Sequence, residues 1–189
     1  MILAGDVGVT KVHLALYNFA DGKLLRVRDQ KFPAHEFPSL DASVSKFLAD
    51  DASTKSEITS ACFGLPGPVR GRRVQLTHLS WSIDAHDLSR SLDIEHVFLI
   101  NDLEANGYGI PELAPDKICT LHPANSAAVG HRGLISAGTG LGEALLIWDG
   151  KQHRPIPSEG GHCDFAPRTD REIALLQYLR RSLNGHISF

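Results

Sequence analysis

Two adjacent polar residues, Asn101 and Asp102, stand where a short apolar run stops, in His96-Val-Phe-Leu-Ile-Asn-Asp-Leu-Glu104. Four apolar, mostly branched residues are too few for a helix, so Val97 to Ile100 reads as a strand buried on both faces of a parallel sheet. Asn101 and Asp102 then fall at its carboxyl end, where open α/β sheets bind their ligands. A second reading is that the pair caps a helix over Leu103 to Tyr108, because both residue types satisfy free N–H groups at helix starts. If Asp102 faces a ligand, its carboxylate suits the acceptance of an alcohol proton during phosphoryl transfer. The rest of such a reaction is positioning and charge neutralisation.

Other residues fit the same chemistry. Two glycine-rich turns, Gly8-Val9-Thr10 before Lys11 and Gly138-Thr139-Gly140-Leu141-Gly142, each join strand to strand and each carry a hydroxyl. Backbone N–H groups in such turns form anion nests, and glycine lets phosphate oxygens approach without a Cβ in the way. Glycine hairpins are also common with no such role. Asp6, beside the first turn, is placed either to hold a magnesium ion through water or to cap the turn. Glu159 and His162 share a Gly-Gly loop and would suit a polyhydroxylated ligand, or are simply surface residues. The spacing of Gly138, Gly140 and Gly142 is not a dinucleotide motif, since strand rather than helix follows, and no P-loop occurs. His162-Cys163 lacks further metal ligands nearby.

The elements that would position these residues follow in order. Met1 to Val7, Val12 to Phe19 and Leu24 to Phe32 read as three antiparallel strands, with a hairpin signal at Asp21-Gly22. Ser39 to Asp51 carries a helical apolar stripe at Leu40, Val44, Phe47 and Leu48. Ile58 to Phe63 is a strand ending in the rigid turn Gly64-Leu65-Pro66-Gly67-Pro68. Val69 to Leu79 reads as a hairpin around Gly71-Arg72, followed by a short helix near Asp84 to Ser91. Gly109, Pro111 and Pro115 mark a seam between domains. Leu134 to Ala137 and Ala144 to Trp148 are strands. Thr169-Asp170-Arg171-Glu172 is a capping box opening a helix with Ile173, Leu176, Leu179 and Leu183 on one side, stopped by Asn184-Gly185.

Composition narrows the classes. Nineteen basic and 22 acidic residues, mixed throughout for a net charge of -3, offer no basic stripe, so nucleic-acid binding is not expected. The apolar start, Met1 to Ala4, is cut by Gly5-Asp6 far short of a signal peptide or membrane span, so a cytoplasmic protein without membrane contact is expected. Cys62, Cys119 and Cys163 are odd in number and widely spaced, and read as reduced thiols, Cys62 as a small core residue.

Five segments in this order resemble the bacterial ATP-dependent glucokinases: Gly5-Asp6-Val7-Gly8-Val9-Thr10, Gly64-Leu65-Pro66-Gly67-Pro68, Ile100-Asn101-Asp102, Ala137 to Gly142, and Glu159-Gly160-Gly161-His162-Cys163-Asp164-Phe165-Ala166-Pro167. The resemblance implies an α/β chain of the ribonuclease H-like, actin-like ATPase fold, with a mixed sheet of three antiparallel strands first and then parallel strands and helices. It implies a small domain over residues 1–111 and the start of a larger one over 112–189, with the sugar in the cleft between them. It further implies that Asn101, Asp102, Glu159 and His162 bind glucose, that Asp102 is the base for its 6-hydroxyl, and that ATP is the donor. Gly5, Asp6, Gly8, Thr10, Lys11, Gly138, Thr139 and Gly140 would then surround the ATP phosphates, with Asp6 toward Mg2+.

Two departures qualify the resemblance. Val9 stands where the family has glycine, and a β-branched residue there removes the positive-φ option and adds bulk near phosphate. Family members are also much longer, so the chain reads as an amino-terminal portion. It would lack a further sugar-contacting glutamate, the adenosine-binding part and the helix that completes the small domain. The alternatives are a non-catalytic sugar-binding or regulatory paralogue, or a kinase for another hexose. A homodimer is expected for the full-length family, and self-association for a chain whose Ile173 to Leu183 stripe lies partly uncovered.

Overall fold

In the computed structural model, which describes residues 1–49, 56–76, 79–123, 129–138, 140–183 and 185–188, three strands form an opening meander. They are β1 (Ile2–Val7), β2 (Lys11–Ala20) and β3 (Lys23–Pro33). The turn between β2 and β3 places Asp21 and Gly22 at φ 52° and 73°. Two successive positive φ values define the hairpin turn that Asp-Gly favours. Helix α1 (Leu40–Ala49) follows, while Asp50 and Asp51, read as its end, lie outside the described residues.

Strand β4 (Ser60–Leu65) runs two residues further than its sequence suggests, so Gly64 and Leu65 belong to the sheet and the rigid turn begins at Pro66. The tight turn at Gly71-Arg72 is present, closed by paired backbone bonds between Arg70 and Arg73. The strand leaving it, β5 (Arg73–Gln75), does not fold back on Val69. It pairs instead with β6 (Ser82–Asp84). Asp84 then caps helix α2 (Ala85–Leu92), accepting from the amides of His86 and Asp87.

Strand β7 (His96–Asn101) completes a five-stranded sheet of order β3-β2-β1-β4-β7, in which β1 pairs parallel with β4 and β4 with β7. The expectation of a strand buried on both faces is overturned: β7 is a sheet edge, and Phe98 is 58% exposed. An apolar run fits an edge strand as well as a central one when alternate residues meet a core, and here Val97 is the deeply buried one. On that core face Leu3, Val7, Leu14, Ala61 and Phe63 pack with Val44 and Phe47 of α1 and Leu88 and Leu92 of α2. Cys62 lies on the opposite face of β4, half-buried, which pushes its thiol pKa up.

Helix α3 (Asp102–Gly109) leads out of β7, and the two compact units of the chain, Met1–Ala105 and Asn106–Phe189, divide within it. The Gly109 to Pro115 seam itself forms short 3-10 turns at Ile110–Glu112 and Pro115–Lys117.

The second unit holds a three-stranded antiparallel sheet of order β10-β9-β8, from β8 (Arg132–Ala137), β9 (Leu141–Trp148) and β10 (His153–Ser158). The sequence hides β10, because Pro155 and Pro157 read as strand breakers. Proline is tolerated at a sheet edge, where no ladder donor is required. Thr169 and Glu172 exchange both bonds of the expected capping box at the start of α4 (Asp170–Ser182), none of whose described residues is buried. Asn184, expected to stop this helix, lies outside the described residues.

Candidate functional site

The carboxyl ends of β1, β4 and β7 gather three of the candidate residues in the first unit. Asp6 ends the solvent side of β1 and stands in register with Gly64 of β4, which is in register with Ile100 of β7. Gly64 is a spacer. A Cβ there would lie 3.2 Å from the Ala105 Cβ and 3.8 Å from the Asp102 α-carbon, so the start of α3 rests on this glycine. Adding one strand spacing puts the α-carbons of Asp6 and Asp102 within about 10 Å of each other.

Asn101 and Asp102 divide the roles that the sequence left open. Asn101 is only 6% exposed. Its Oδ1 accepts from the amides of Leu103 and Glu104 at 2.9 and 3.3 Å, and its Nδ2 donates to the Gly67 carbonyl at 3.1 Å. It therefore caps α3 and ties down the Pro66-Gly67-Pro68 turn. Both acceptor positions and one donor are committed, which leaves a single N–H for any ligand. Asp102 is the first helical residue, where the helix dipole favours negative charge, and its Oδ1 accepts from the Leu103 amide at 2.9 Å.

The first glycine turn is tight. The Gly8 N–H donates to the Lys11 carbonyl at 2.8 Å, so that amide is not bare, whereas those of Val9 and Thr10 have no backbone partner among the described residues. None of Gly8, Val9 and Thr10 has a positive φ. Val9 therefore occupies backbone open to any residue, and the departure from the family pattern reduces to the bulk of one exposed side chain. Thr10 and Lys11 are exposed, and the Thr10 carbonyl accepts from the Ala34 amide. Gly5 lies inside β1, where a Cβ would overlap the ring of Phe63, so packing by itself accounts for its size.

Sequence reasoning overlooked a pair beside Asp6. His13 is the registered partner of Asp6 on β2, and its Nε2 lies 2.7 Å from the Asp29 carboxylate. That hydrogen bond, with Arg26 nearby, holds the Asp29 pKa below the usual carboxylate range. A histidine and an aspartate sixteen residues apart give no local signal.

The second unit brings its own candidates together. Gly138 closes the β8–β9 turn by donating to the Gly140 carbonyl at 2.9 Å, and both glycines stand in open space; Thr139 lies outside the described residues. The Glu159 to His162 loop is pressed on the start of β9. A Cβ on Gly161 would overlap the Leu141 carbonyl, and one on Gly160 would overlap the Glu143 carboxylate. These glycines thus bring Glu159 and His162 beside the second glycine turn. Glu159 sits at φ -96°, ψ 23°, in the sparsely populated bridge region. Its carboxylate is 3.8 Å from the His162 Nε2, and both side chains are more than half exposed. His186, whose ring reaches both the His162 carbonyl and the Asp164 carboxylate, gave no signal in the sequence, because it acts through space on another residue's backbone.

Among the described residues no group of three or more His, Cys, Asp or Glu side chains is arranged to hold a metal ion. Magnesium takes one or two carboxylates and keeps most of its waters, so the exposed carboxylate of Asp6 suits it as a single, water-extended contact. No helix among the described residues is long and apolar enough to cross a membrane.

The mixed sheet is that of the sugar kinases of the actin-like ATPase class, as solved structures attest. The glucokinase of an Antarctic psychrotroph matches with a TM-score of 0.78 and 27% identity, over 99% of this chain and 58% of that one. The glucokinase of Balamuthia mandrillaris, solved in complex with glucose, matches with a TM-score of 0.63 and 22% identity, over 99% and 57%. The chain belongs to the glucokinase family, whose model matches residues 3–189. Glucokinase from Trichormus variabilis is 39% identical over 180 residues, 95% of this chain and 52% of that protein. Glucokinase from Tolumonas auensis is 34% identical over 187 residues, 99% of this chain and 56% of that protein. The chain spans about half the length of the curated relatives it matches.

Proposed function

We propose that this chain carries the catalytic base and part of the substrate contacts of a glucokinase, which moves the γ-phosphoryl group of ATP to the 6-hydroxyl of glucose. Asp102 accepts the hydroxyl proton as the sugar oxygen bonds to phosphorus, and the bond from phosphorus to the β,γ-bridging oxygen breaks to release ADP. Asn101 offers its one remaining N–H to the sugar, and Glu159 and His162 supply a carboxylate and an imidazole for its hydroxyls. The amides of Val9 and Thr10, with Gly138, Thr139 and Gly140, line the phosphates, and Lys11 adds positive charge. Asp6 would hold a magnesium ion through water, and the ion would supply neutralisation of phosphate charge. The reaction belongs in the cytoplasm, and the whole protein acts as a homodimer.

The observation that carries this reading is the pairing of strand ends around Gly64, with Asp6 and Asp102 within about 10 Å of each other. A γ-phosphoryl group in transfer needs a base on one side and a counter-ion on the other, and that separation accommodates both.

The test is formation of glucose 6-phosphate by the purified chain in a coupled assay, with Asp102→Asn alongside. The expected loss is roughly 10²- to 10⁴-fold in turnover. Turnover unchanged in the variant removes Asp102 from the chemistry. Absence of both turnover and a glucose-induced rise in Tm in the unaltered chain counts against a kinase and a sugar-binding module alike. Comparison of glucose with fructose, mannose and N-acetylated sugars identifies the hexose.

A further inference from the structure

The Glu159 to His162 loop is held from two sides, and only one of them is glycine packing. On the other, both ring nitrogens of His186 are engaged: Nδ1 lies 2.8 Å from the Asp164 carboxylate, and Nε2 lies 2.6 Å from the backbone carbonyl of His162. The ring thus lies between two acceptors, the His162 carbonyl and the Asp164 carboxylate. Backbone pairing runs alongside. The Phe165 amide donates to the Ile187 carbonyl at 2.8 Å, and Asp164 bridges Ser188.

The consequence falls on His162. Its N–H donates to the Glu159 carbonyl at 3.0 Å and its C=O accepts from His186, so both backbone polar groups of this residue are pinned. Its side chain is 72% exposed, with the Glu159 carboxylate 3.8 Å away. With most of the imidazole in solvent, its direction follows the backbone beneath it. A cavity of about 280 Å³ borders His186, lined also by Asp164, Phe165, Leu176 and Arg180. His186 is half exposed and hydrogen-bonded at both ring nitrogens.

We propose that His186 is a positioning residue for His162, fixing the carbonyl of the loop so that the His162 imidazole and the Glu159 carboxylate meet the same polyhydroxylated ligand. The inference rests on the sugar site assigned under Proposed function. It makes residues 186–188 part of that site's support.

The two bonds of His186 can be separated by substitution. Glutamine places a donor near the position of Nε2 and keeps the bond to His162, whereas asparagine places one near Nδ1 and keeps the bond to Asp164. Hydrogen exchange of the whole chain reads the loop without any sugar. The His162 and Cys163 amides are expected to exchange about tenfold faster in His186→Ala and His186→Asn and close to the native rate in His186→Gln, with the β8–β9 amides unchanged as the control for folding. Tenfold is the loss of one hydrogen bond worth about 1.4 kcal/mol. Titration with glucose should give the same ranking of affinities.

A native exchange rate in His186→Ala, or protection restored by asparagine rather than glutamine, overturns the proposal in favour of a simple anchor for the chain. The expected exchange pattern with equal glucose affinity in all variants overturns the link to the ligand. An unaltered chain that binds no glucose while the exchange ranking holds refutes the sugar site and leaves the His186 support standing.

Discussion

The two units position their candidate residues by different means. In the first, Asp6, Asn101 and Asp102 sit at the ends of strands whose other face is sealed by α1 and α2, so their placement derives from burial of large side chains such as Phe47 and Phe63. In the second, Ala144 and Leu146 are the buried hydrophobic residues among those described, while Ile135 and Tyr178 are 70% and 66% exposed. There Glu159 and His162 owe their placement to two glycines lying on a strand and to the hydrogen bond between the His186 ring and the His162 carbonyl, with the Asp164 carboxylate on the other ring nitrogen. A site built on a core shares the cooperativity of that core, whereas a site built on close backbone approach fails or holds by itself.

Two glycines break this comparison most sharply. A methyl group on Gly5 would overlap the buried Phe63 ring, and one on Gly161 would overlap the Leu141 carbonyl. Overpacking of either kind costs about 1–3 kcal/mol. Gly5→Ala is expected to lower the Tm of the first unit by several degrees, at about 4–8 °C per kcal/mol for a unit of this size. Gly161→Ala is expected to leave that transition in place and to weaken glucose binding about tenfold, because the strain is relieved by lifting the loop from β9. Calorimetry with glucose titration checks both. If Gly161→Ala lowers the Tm as much as Gly5→Ala does, the distinction between the two kinds of support is lost.

Helix caps give a finer version of the same contrast. Asn101→Ala removes a cap at a buried position and also frees the Gly67 turn. The expected cost is about 2 kcal/mol, the upper end for a cap. Thr169→Ala removes the cap of α4, which buries none of its described residues, and should cost about 0.5 kcal/mol, seen as fraying in circular dichroism rather than as a shift in cooperative unfolding. Asn101→Asp separates the two functions of Asn101, since an aspartate keeps the cap but sets an acceptor against the Gly67 carbonyl. Equal denaturant midpoints for Asn101→Asp and the native chain would show that the tie to Gly67 contributes nothing.

What could be read from the sequence follows the range of the interactions. The Asp21-Gly22 hairpin and the Thr169 capping box were legible because each is a local rule complete within four residues. The glycine turns and the strand-end Asn101-Asp102 were legible because strand, turn and strand alternate clearly. The prolines of β10 obscured it, and the pairing of β5 with β6 across residues 76–81 had no local signature. At the site the residue types were visible but their duties were not. That Asn101 carries the cap and the Gly67 tie depends on a turn 34 residues away, and the hold of His186 on the His162 carbonyl spans 24. Such through-space bonds leave no periodicity to detect.

The smallest expected effect is in acid, where each unit offers one strongly shifted carboxylate. Asp84 is lowered to about 2 by the Arg73 guanidinium and by the amides of His86 and Asp87. Asp149 is lowered to about 2 by the amide of Gln152, then by Arg154 and the amide of Lys151. A carboxylate whose folded pKa lies below its unfolded value, about 3.9, contributes all of its stabilisation above that value. The contribution is lost as pH falls from about 4 toward 2, and solvent exposure of both groups keeps it small. The two tryptophans report the units separately, Trp81 in the first and Trp148 in the second. In Trp148→Phe, urea midpoints read from Trp81 should fall between pH 4 and 2, and adding Asp84→Asn should flatten part of that slope. In Trp81→Phe the same holds for Asp149→Asn. Asparagine at 84 still caps α2 through its side-chain oxygen, so the flattening isolates the ion pair with Arg73. An unaltered slope would assign the acid sensitivity of the first unit to other carboxylates, of which Asp29, lowered by His13, is the first to examine.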